Sequence, residues 1–371
     1  MPGIRPERLS DNLFQVNLLL WMLQPPNLTN VRPLLREAGY RLYAVERELP
    51  IPVSLREKMK KAGIAIRQNP QPDVVLVAEG SEFLLVECKS KMFGVKTDGD
   101  DGHIKQARSY MLQVPKVLKE SLGGVLVSGS HLAYMCCHDS SQKQSLGLNA
   151  LAAEMKKAGV EVVSKCVIRL SSSVKGVSIE PVCAGDALPR PLARLVGKRR
   201  RRLLVLPTDR SGNDPRPLYL IPWMPNTEPD KQDDYNIRVF KNRILAATVT
   251  KFGRSKVGDP VLVDVEETLR DITRGVYDLW RNKAARADMR GKVRELIITH
   301  LRKVSGIMFD DPTKSGAQIR VLVPDEKTQN AIIRELRQTV DDNWQPNERT
   351  LFDKPDDYWD SDEVTKDEWK Q

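Results

Sequence analysis

The length, composition and charge of this chain exclude several classes of protein. At 371 residues it is too long for one compact domain of ordinary size, so we expect two domains, each with its own core. The formal net charge of +10 favours a polyanionic partner, while the apolar run from Asn17 to Leu23 is too short to cross a bilayer and lacks the cleavage site of a signal peptide.

Helical and strand patterns alternate along the first 180 residues. Helices are predicted at about 11–23, 31–38, 54–61 and 148–157, and strands at about 40–47, 124–128, 132–137 and 160–170. Between them, residues 72–89 form two apolar runs joined by the turn signal Glu79-Gly80-Ser81, which predicts a β-hairpin. This order is typical of an α/β fold with helices flanking a central mixed sheet.

The predicted hairpin carries three charged groups in otherwise apolar strands. Asp73 opens the first run, and Glu87 and Lys89 end the second. Because side chains alternate along a strand, Glu87 and Lys89 project from one face and Cys88 from the other, and the hairpin can bring Asp73 up to the pair. Carboxylates are ligands that Mg²⁺ or Mn²⁺ prefers, and a phosphodiester suits the metal's remaining positions. The alternative is a surface hairpin whose ion pair contributes less than about 1 kcal/mol.

Two motifs in this region resemble those of a known nuclease superfamily. Pro72-Asp73 followed by Glu87-Cys88-Lys89 is similar to the PD-(D/E)xK signature of restriction-endonuclease-like nucleases. Downstream, Gln106 and Tyr110 match the QxxxY motif of RecB-like nucleases, and their spacing places both side chains on one face of a predicted helix. The resemblance covers about residues 30–170 and implies a restriction-endonuclease-like N-terminal domain.

The resemblance also implies roles for individual residues. Asp73 and Glu87 would bind Mg²⁺ or Mn²⁺ together with the backbone carbonyl of Cys88, and Lys89 would serve the attacking water. Gln106 and Tyr110 would join this catalytic group from the helix.

Several other residues near the cluster can be interpreted either as part of the site or as ordinary structural residues. Many members of the superfamily add an acid from an earlier helix, and Glu37 and Glu46 are the candidates, between which the sequence does not select. Lys91 continues the alternation of Glu87 and Lys89 and can reach a phosphate, although a solvated lysine is the simpler interpretation. His103 is interpreted as the start of the QxxxY helix rather than as a catalyst, and the Gly- and Asp-rich loop 92–102 as a connector that can close over substrate.

A proline-rich basic segment divides the chain. We interpret residues 181–217 as a linker with one strand at 203–206, between a nuclease-like domain (residues 1–180) and a helix-rich α/β C-terminal domain (residues 218–345). This linker contains the consecutive cations Lys198, Arg199, Arg200, Arg201 and Arg202. They can bind a nucleic-acid backbone or remain a solvated charged face, and both interpretations stay open.

The C-terminal domain is expected to supply substrate or partner contacts. Apolar spacing predicts helices over 265–280 and 293–304, a strand at 319–323 and a helix at 328–340. Basic side chains are expected on the helix faces: Arg270, Arg274, Arg281, Lys283 and Arg286. Residues 346–371 are predicted to be a disordered acidic tail, since residues 353–371 hold eight acids against three lysines and leave about +15 on the rest of the chain.

Together these patterns predict a metal-dependent nuclease that hydrolyses phosphodiester bonds of nucleic acid, DNA in preference to RNA. We expect Mg²⁺ or Mn²⁺ as cofactor, a protein partner or self-association, no membrane contact and, by analogy with the superfamily, a setting in prokaryotic defence or mobile-element processing. Five cysteines without zinc-site spacing fit a reducing cytoplasm. The alternative is a catalytically silent nuclease-fold protein that binds nucleic acid or scaffolds a complex.

Overall fold

The structure is a computed structural model that describes residues 9–25, 31–89, 101–173, 176–196, 202–204, 219–222, 234–310 and 318–339. It divides into two compact units between Pro217 and Leu218. Within these residues, none of the helices combines the length and the apolar character that a membrane span requires.

In the part of the chain that the structure describes, the first unit is built on a seven-stranded mixed sheet whose strands lie in chain order. The strands are β1 (Arg41–Val45), β2 (Val74–Ala78), β3 (Glu82–Cys88), β4 (Gly129–Cys137), β5 (Ser164–Ser173), β6 (Gly176–Cys183) and β7 (Arg202–Leu204). β3, β4 and β5 pair in parallel, and the other neighbours pair antiparallel. The predicted α/β class with a mixed sheet and flanking helices is therefore confirmed.

Seven helices of this unit are described. They are α1 (Asn12–Trp21), α2 (Leu34–Glu37), α3 (Val53–Lys61), α4 (Gly102–Met111), α5 (Pro115–Ser121), α6 (His138–Lys157) and α7 (Arg190–Val196). Apolar side chains of α4, α5 and α6 pack with alternate residues of β2 to β5 in one core, which includes Val75, Leu85, Tyr110, Leu132 and Leu151. By contrast, α1 is buried from Leu13 to Trp21 and contacts β3, as expected of a helix that is apolar on nearly every side.

A partly buried ion pair fixes α4 against α6. The guanidinium of Arg108, which is only 2% exposed, donates to Glu154 at 2.8 Å and 2.9 Å. Such fork-shaped pairing restrains orientation as well as position. It therefore holds the helix that carries Gln106 and Tyr110 in place over the sheet.

A second polar network joins three neighbouring strands. His131 of β4 lies 2.8 Å from the carboxylate of Glu82 in β3, and its Nδ1 atom hydrogen-bonds the hydroxyl of Ser164 in β5. Burial lowers the pKa of His131, and the charge of Glu82 opposes this effect. The network ties the sheet together at the end opposite the carboxyl ends of β3 and β4.

Several predicted boundaries need correction. Residues 124–128 are not a strand, because Gly123 and Gly124 have φ angles of 75° and 92° and turn the chain after α5. α6 begins directly at His138, ten residues before its predicted start. Residues 181–217 do not form only a linker, since β6 extends to Cys183 and β7 pairs with β6. The sheet of the first unit thus extends beyond the predicted limit at residue 180.

Within its described residues, the second unit combines five helices with a three-stranded antiparallel sheet of order β8-β10-β9. In chain order the described elements are α8 (Asp234–Arg254), β8 (Pro260–Asp264), α9 (Val265–Ile272), α10 (Val276–Leu279), α11 (Lys283–Leu301), β9 (Met308–Asp310), β10 (Gln318–Leu322) and α12 (Glu326–Thr339). The helix predicted over 265–280 is interrupted because Gly275 adopts a φ of 81°. The predicted tail, residues 346–371, lies outside the described residues.

Two of the basic side chains expected on this unit's surface are engaged within it. Arg270 forms an ion pair with Asp278 at 2.6 Å, and the guanidinium of Arg286 lies 4.4 Å from the centre of the Tyr277 ring. Arg270 stays exposed to solvent in its ion pair and Arg286 stays partly exposed, so both remain on the surface of this unit.

Candidate active site

The structure brings the three charged residues of the hairpin to one end of the sheet. β2 and β3 pair antiparallel with Val74 opposite Val86, so Asp73 and Glu87 occupy the next positions of the two strands. Asp73, Glu87 and Lys89 share their alternation with Val75 and Leu85, whose side chains enter the core beneath α4. The arrangement predicted from strand periodicity is therefore present in three dimensions.

Glu87 is the centre of the cluster. Lys89 Nζ donates to Glu87 Oε1 at 2.7 Å, and the hydroxyl of Tyr110 lies 2.8 Å from Glu87 Oε2. Glu87 and Lys89 are only 4% and 7% exposed. Their ion pair is thus enclosed by protein, which excludes the surface pair considered from the sequence.

The helix α4 supplies the support for Glu87. Gln106 Nε2 donates to the Tyr110 hydroxyl at 2.5 Å, and this hydroxyl also lies 2.7 Å from the carbonyl oxygen of Gln71. Burial and the charge of Glu87 raise the pKa of Tyr110 well above its ordinary value. The phenol therefore keeps its proton at neutral pH and donates toward the carboxylate.

Asp73 closes the other side of the cluster. Its Oδ2 atom accepts the backbone N–H of Cys88 at 2.6 Å. Asp73 is half-buried, yet the protein packed around its carboxylate raises its pKa well above the ordinary value, and the nearby charge of Glu87 raises it further. The carboxylates of Asp73 and Glu87 therefore repel each other when both are ionised, and a bound cation would reduce this repulsion.

The peptide groups of Cys88 face Asp73. The following N–H, that of Lys89, donates to Met135 O in β4 at 2.9 Å, so the N–H and C=O of Cys88 point to the opposite side, toward β2. Burial raises the pKa of the Cys88 thiol well above the ordinary value, and the nearby carboxylate of Asp73 raises it further. The thiol thus packs as a small apolar group close to Asp73, so both the side chain and the backbone of Cys88 border the cluster.

The two upstream acids that the sequence left open are separated by the fold. Glu46, at the end of β1, donates its N–H to Asp73 O at 3.0 Å, and its charge contributes to the raised pKa of Asp73. Glu37 instead forms an ion pair with Arg32 at 3.1 Å. Glu46 is therefore the acid that borders the cluster.

Four residues of the cluster were not selected by sequence motifs. Tyr134 in β4 pairs with Glu87 across the parallel ladder, and burial followed by the charge of Glu87 raises its pKa well above the ordinary value. Gln15 of α1 donates to Lys89 O at 3.2 Å, and Gln71 donates to Glu46 O at 2.7 Å. Arg67 lies near enough to Tyr134 to affect its pKa. No local sequence pattern gave a signal for these four residues, because each one reaches the cluster through tertiary contacts.

The fit of the cluster to a metal ion rests on its oxygen donors. No group of three or more His, Cys, Asp and Glu side chains able to hold a metal occurs in the described ranges. Asp73 and Glu87 still offer two carboxylates, the number that Mg²⁺ commonly takes from a protein while it retains waters. Their mutual repulsion and the backbone oxygen of Cys88 suit a hard divalent cation.

Most of the residues predicted to contact nucleic acid lie outside the part of the chain that the structure describes. Lys91, Lys198, Arg199, Arg200 and Arg201 lie outside the described residues, as does most of loop 92–102. Arg202 is the first residue of β7, where its backbone pairs opposite Ser178. This end of the arginine run therefore belongs to a strand of the sheet.

Comparison with known proteins adds no family to this picture. No protein-family model, curated protein or solved structure matches the chain. The site must therefore be interpreted from its own chemistry.

Proposed function

We propose that the first unit is a Mg²⁺- or Mn²⁺-dependent nuclease that hydrolyses phosphodiester bonds of nucleic acid, with DNA as the preferred substrate. The observation that carries the proposal is the convergence of Asp73, Glu87 and Lys89 at one end of β2 and β3, with Lys89 Nζ 2.7 Å from Glu87. Two carboxylates beside an ammonium suit metal-assisted phosphodiester hydrolysis, and the resemblance to the PD-(D/E)xK signature points to the same reaction.

Each residue of the cluster has a distinct role in the proposed reaction. Asp73, Glu87 and the carbonyl of Cys88 hold the cation, which when bound supplies charge neutralisation at the phosphate and lowers the pKa of water. Lys89 orients the attacking water and stabilises negative charge that develops on the phosphoryl oxygens. Tyr110, itself held by Gln106, fixes the carboxylate of Glu87, since it lies 2.8 Å from Oε2. Its pKa, raised by burial, keeps the phenol protonated for that task.

The charge of the chain supports a nucleic-acid substrate. The net charge of +10 includes the strongly acidic segment 353–371, so the remainder is more basic than the total suggests. A positive protein attracts a phosphate backbone through counterion release, and this contribution weakens as salt increases. The proposal therefore includes salt-sensitive binding, with prokaryotic defence or mobile-element processing as the expected setting.

One observation favours the alternative of a silent nuclease-fold protein. Both oxygens of Glu87 already contact groups of the same chain, Lys89 and Tyr110, at 2.7 and 2.8 Å. A cation must share or displace these contacts. If the ion pair is too strong to be shared, the cluster stabilises the sheet, and the protein binds nucleic acid or scaffolds a complex without cutting.

Cleavage assays separate the two functions. Purified protein is incubated with linear, circular and single-stranded DNA and with RNA, in Mg²⁺, Mn²⁺ or chelator. We expect metal-dependent cleavage that falls by about a hundredfold or more in Asp73→Ala, Glu87→Ala and Lys89→Ala, since each removes a metal ligand or a transition-state cation.

A matched control uses the same hairpin. Glu79→Ala removes a carboxylate from the exposed turn at the far end of β2 and is expected to leave cleavage unchanged. Equal cleavage by wild type and the three site variants would reveal a contaminating nuclease and contradict the proposal. Binding without cleavage in either metal would favour the silent protein.

A further inference from the structure

His103 contacts Lys89, the ammonium that pairs with Glu87 in the candidate site. Its Nδ1 atom lies 3.3 Å from Lys89 Nζ, the same ammonium that donates to Glu87. His103 is the second residue of α4, and Asp101 caps this helix by accepting the N–H of His103 at 2.8 Å. The helix start therefore places the imidazole ring beside Lys89, although the QxxxY motif does not include it.

The contact defines which ring nitrogen carries the proton. An ammonium has three donors and no acceptor, so Nδ1 must accept from Lys89 with its lone pair. A neutral imidazole that accepts at Nδ1 carries its hydrogen on Nε2. His103 is exposed to solvent, unlike the buried Lys89 and Glu87. The ring therefore contacts the buried cluster through Nδ1 and offers a hydrogen-bond donor at Nε2 on the exposed side of the cluster.

We propose that His103 has two parts in the reaction: it positions the ammonium of Lys89 through Nδ1 and donates Nε2–H to a phosphate oxygen of the bound nucleic acid. This inference rests on the proposed nuclease function and adds a substrate contact to it. The positioning half follows from the 3.3 Å contact. The binding half follows from the exposed position of the ring at the border of the cluster.

Three substitutions separate the two parts. Asn places an acceptor oxygen the same number of bonds from Cα as Nδ1 but has no atom at the position of Nε2. Gln extends one bond further and can place its amide N–H near the position of Nε2, without an acceptor at the position of Nδ1. Ala removes both groups. None of the three changes the helix cap, because Asp101 accepts the backbone N–H of residue 103.

Two measurements are made on the full-length protein. Single-turnover cleavage of a labelled DNA duplex in Mg²⁺ gives the rate of the bound complex, and fluorescence anisotropy of the same duplex in Ca²⁺ gives its affinity. His103→Ala is expected to lose about tenfold in each, as for the loss of one hydrogen bond to a charged group. His103→Asn is expected to keep the rate and lose affinity, and His103→Gln to keep affinity and lose rate.

The outcomes distinguish this inference from the proposed function. Wild-type cleavage with His103→Ala unchanged in both measurements would overturn the inference alone. Equal loss of rate in the Asn and Ala variants would contradict the positioning role, because the acceptor would then not rescue Lys89. If wild type does not cut any substrate in the assays described above, the proposed function fails first.

Discussion

The hydroxyl of Tyr110 offers the sharpest test of the candidate site. Tyr110→Phe removes a buried donor that lies 2.8 Å from Glu87 Oε2, and it also removes the acceptor of the Gln106 amide. A hydrogen bond to a charged group contributes about 1.5–3 kcal/mol to stability, and an unsatisfied buried partner adds to the loss. We therefore expect the free energy of unfolding of the first unit to fall by about 2–3 kcal/mol.

The cleavage rate is expected to fall with the stability, because Glu87 loses one of its two orienting contacts. A decrease of about ten- to a hundredfold corresponds to roughly 1.4–2.7 kcal/mol of lost transition-state stabilisation. Tyr110→Phe leaves Asp73, Glu87 and Lys89 in place, so cleavage is expected to be reduced rather than abolished. The fall in rate thus measures orientation of the carboxylate.

The chain provides a matched control in Tyr40. This tyrosine is also buried, but its hydroxyl has no hydrogen-bond partner within the described structure, and burial raises its pKa far above the ordinary value. Tyr40→Phe deletes the same atom and is expected to leave stability unchanged or slightly increased, because an unsatisfied buried hydroxyl is removed.

Hydrogen exchange in increasing urea measures both variants. Peptides that cover β3 report the unfolding free energy of the first unit separately from the second. Equal stability of Tyr110→Phe and Tyr40→Phe would refute the reasoning, since it would mean that the hydroxyl beside Glu87 contributes nothing.

Three further predictions concern buried charge. Asp73→Asn is expected to abolish cleavage and to raise the free energy of unfolding at pH 7. Because the folded pKa of Asp73 lies above its unfolded value, this gain in stability should shrink as the pH falls toward about 4. Urea titrations at the two pH values measure the change. Lys89→Met leaves the buried carboxylate of Glu87 without its cation, and the free energy of unfolding is expected to fall by about 3–5 kcal/mol in the same urea titration. A loss below about 1 kcal/mol would contradict a buried ion pair. Because the folded pKa of His131 is lowered, stability is expected to decline as the pH falls below about 6.5, the pKa of histidine in the unfolded chain. Thermal unfolding of His131→Gln should show a flatter decline over the same pH range. Identical pH profiles of the two proteins would argue against a contribution of His131 to this decline.

Strand periodicity determined the core of the site. The alternation of Phe83, Leu85, Glu87 and Lys89 requires these side chains to share one face, and the structure has this arrangement with Glu87 and Lys89 2.7 Å apart. Helical spacing likewise placed Gln106 next to Tyr110, and their side chains are hydrogen-bonded. Both are local effects, because the distance between such residues depends only on the geometry of one strand or helix.

Longer segments without a local signal were less predictable. No strong local pattern predicts β6, α8 or β8, and residues 124–128 combine β-forming residues with a position outside the sheet. Gly123 and Gly124 adopt left-handed φ angles that end α5, so the apolar residues after them follow a turn. Tertiary packing overrides propensity where a segment has to meet its neighbours.

By itself, the sequence determined which side chains share a strand face or a helix face, since bond geometry repeats at fixed intervals along the chain. Only the tertiary structure decided that Tyr110 contacts Glu87, that Glu46 rather than Glu37 borders Asp73, and that His103 meets Lys89. These contacts join elements that lie far apart along the chain. Their distances depend on how α4 packs against the sheet and on how β1 pairs with β2, and the burial that shifts the pKa of Asp73 and Tyr110 arises from that arrangement.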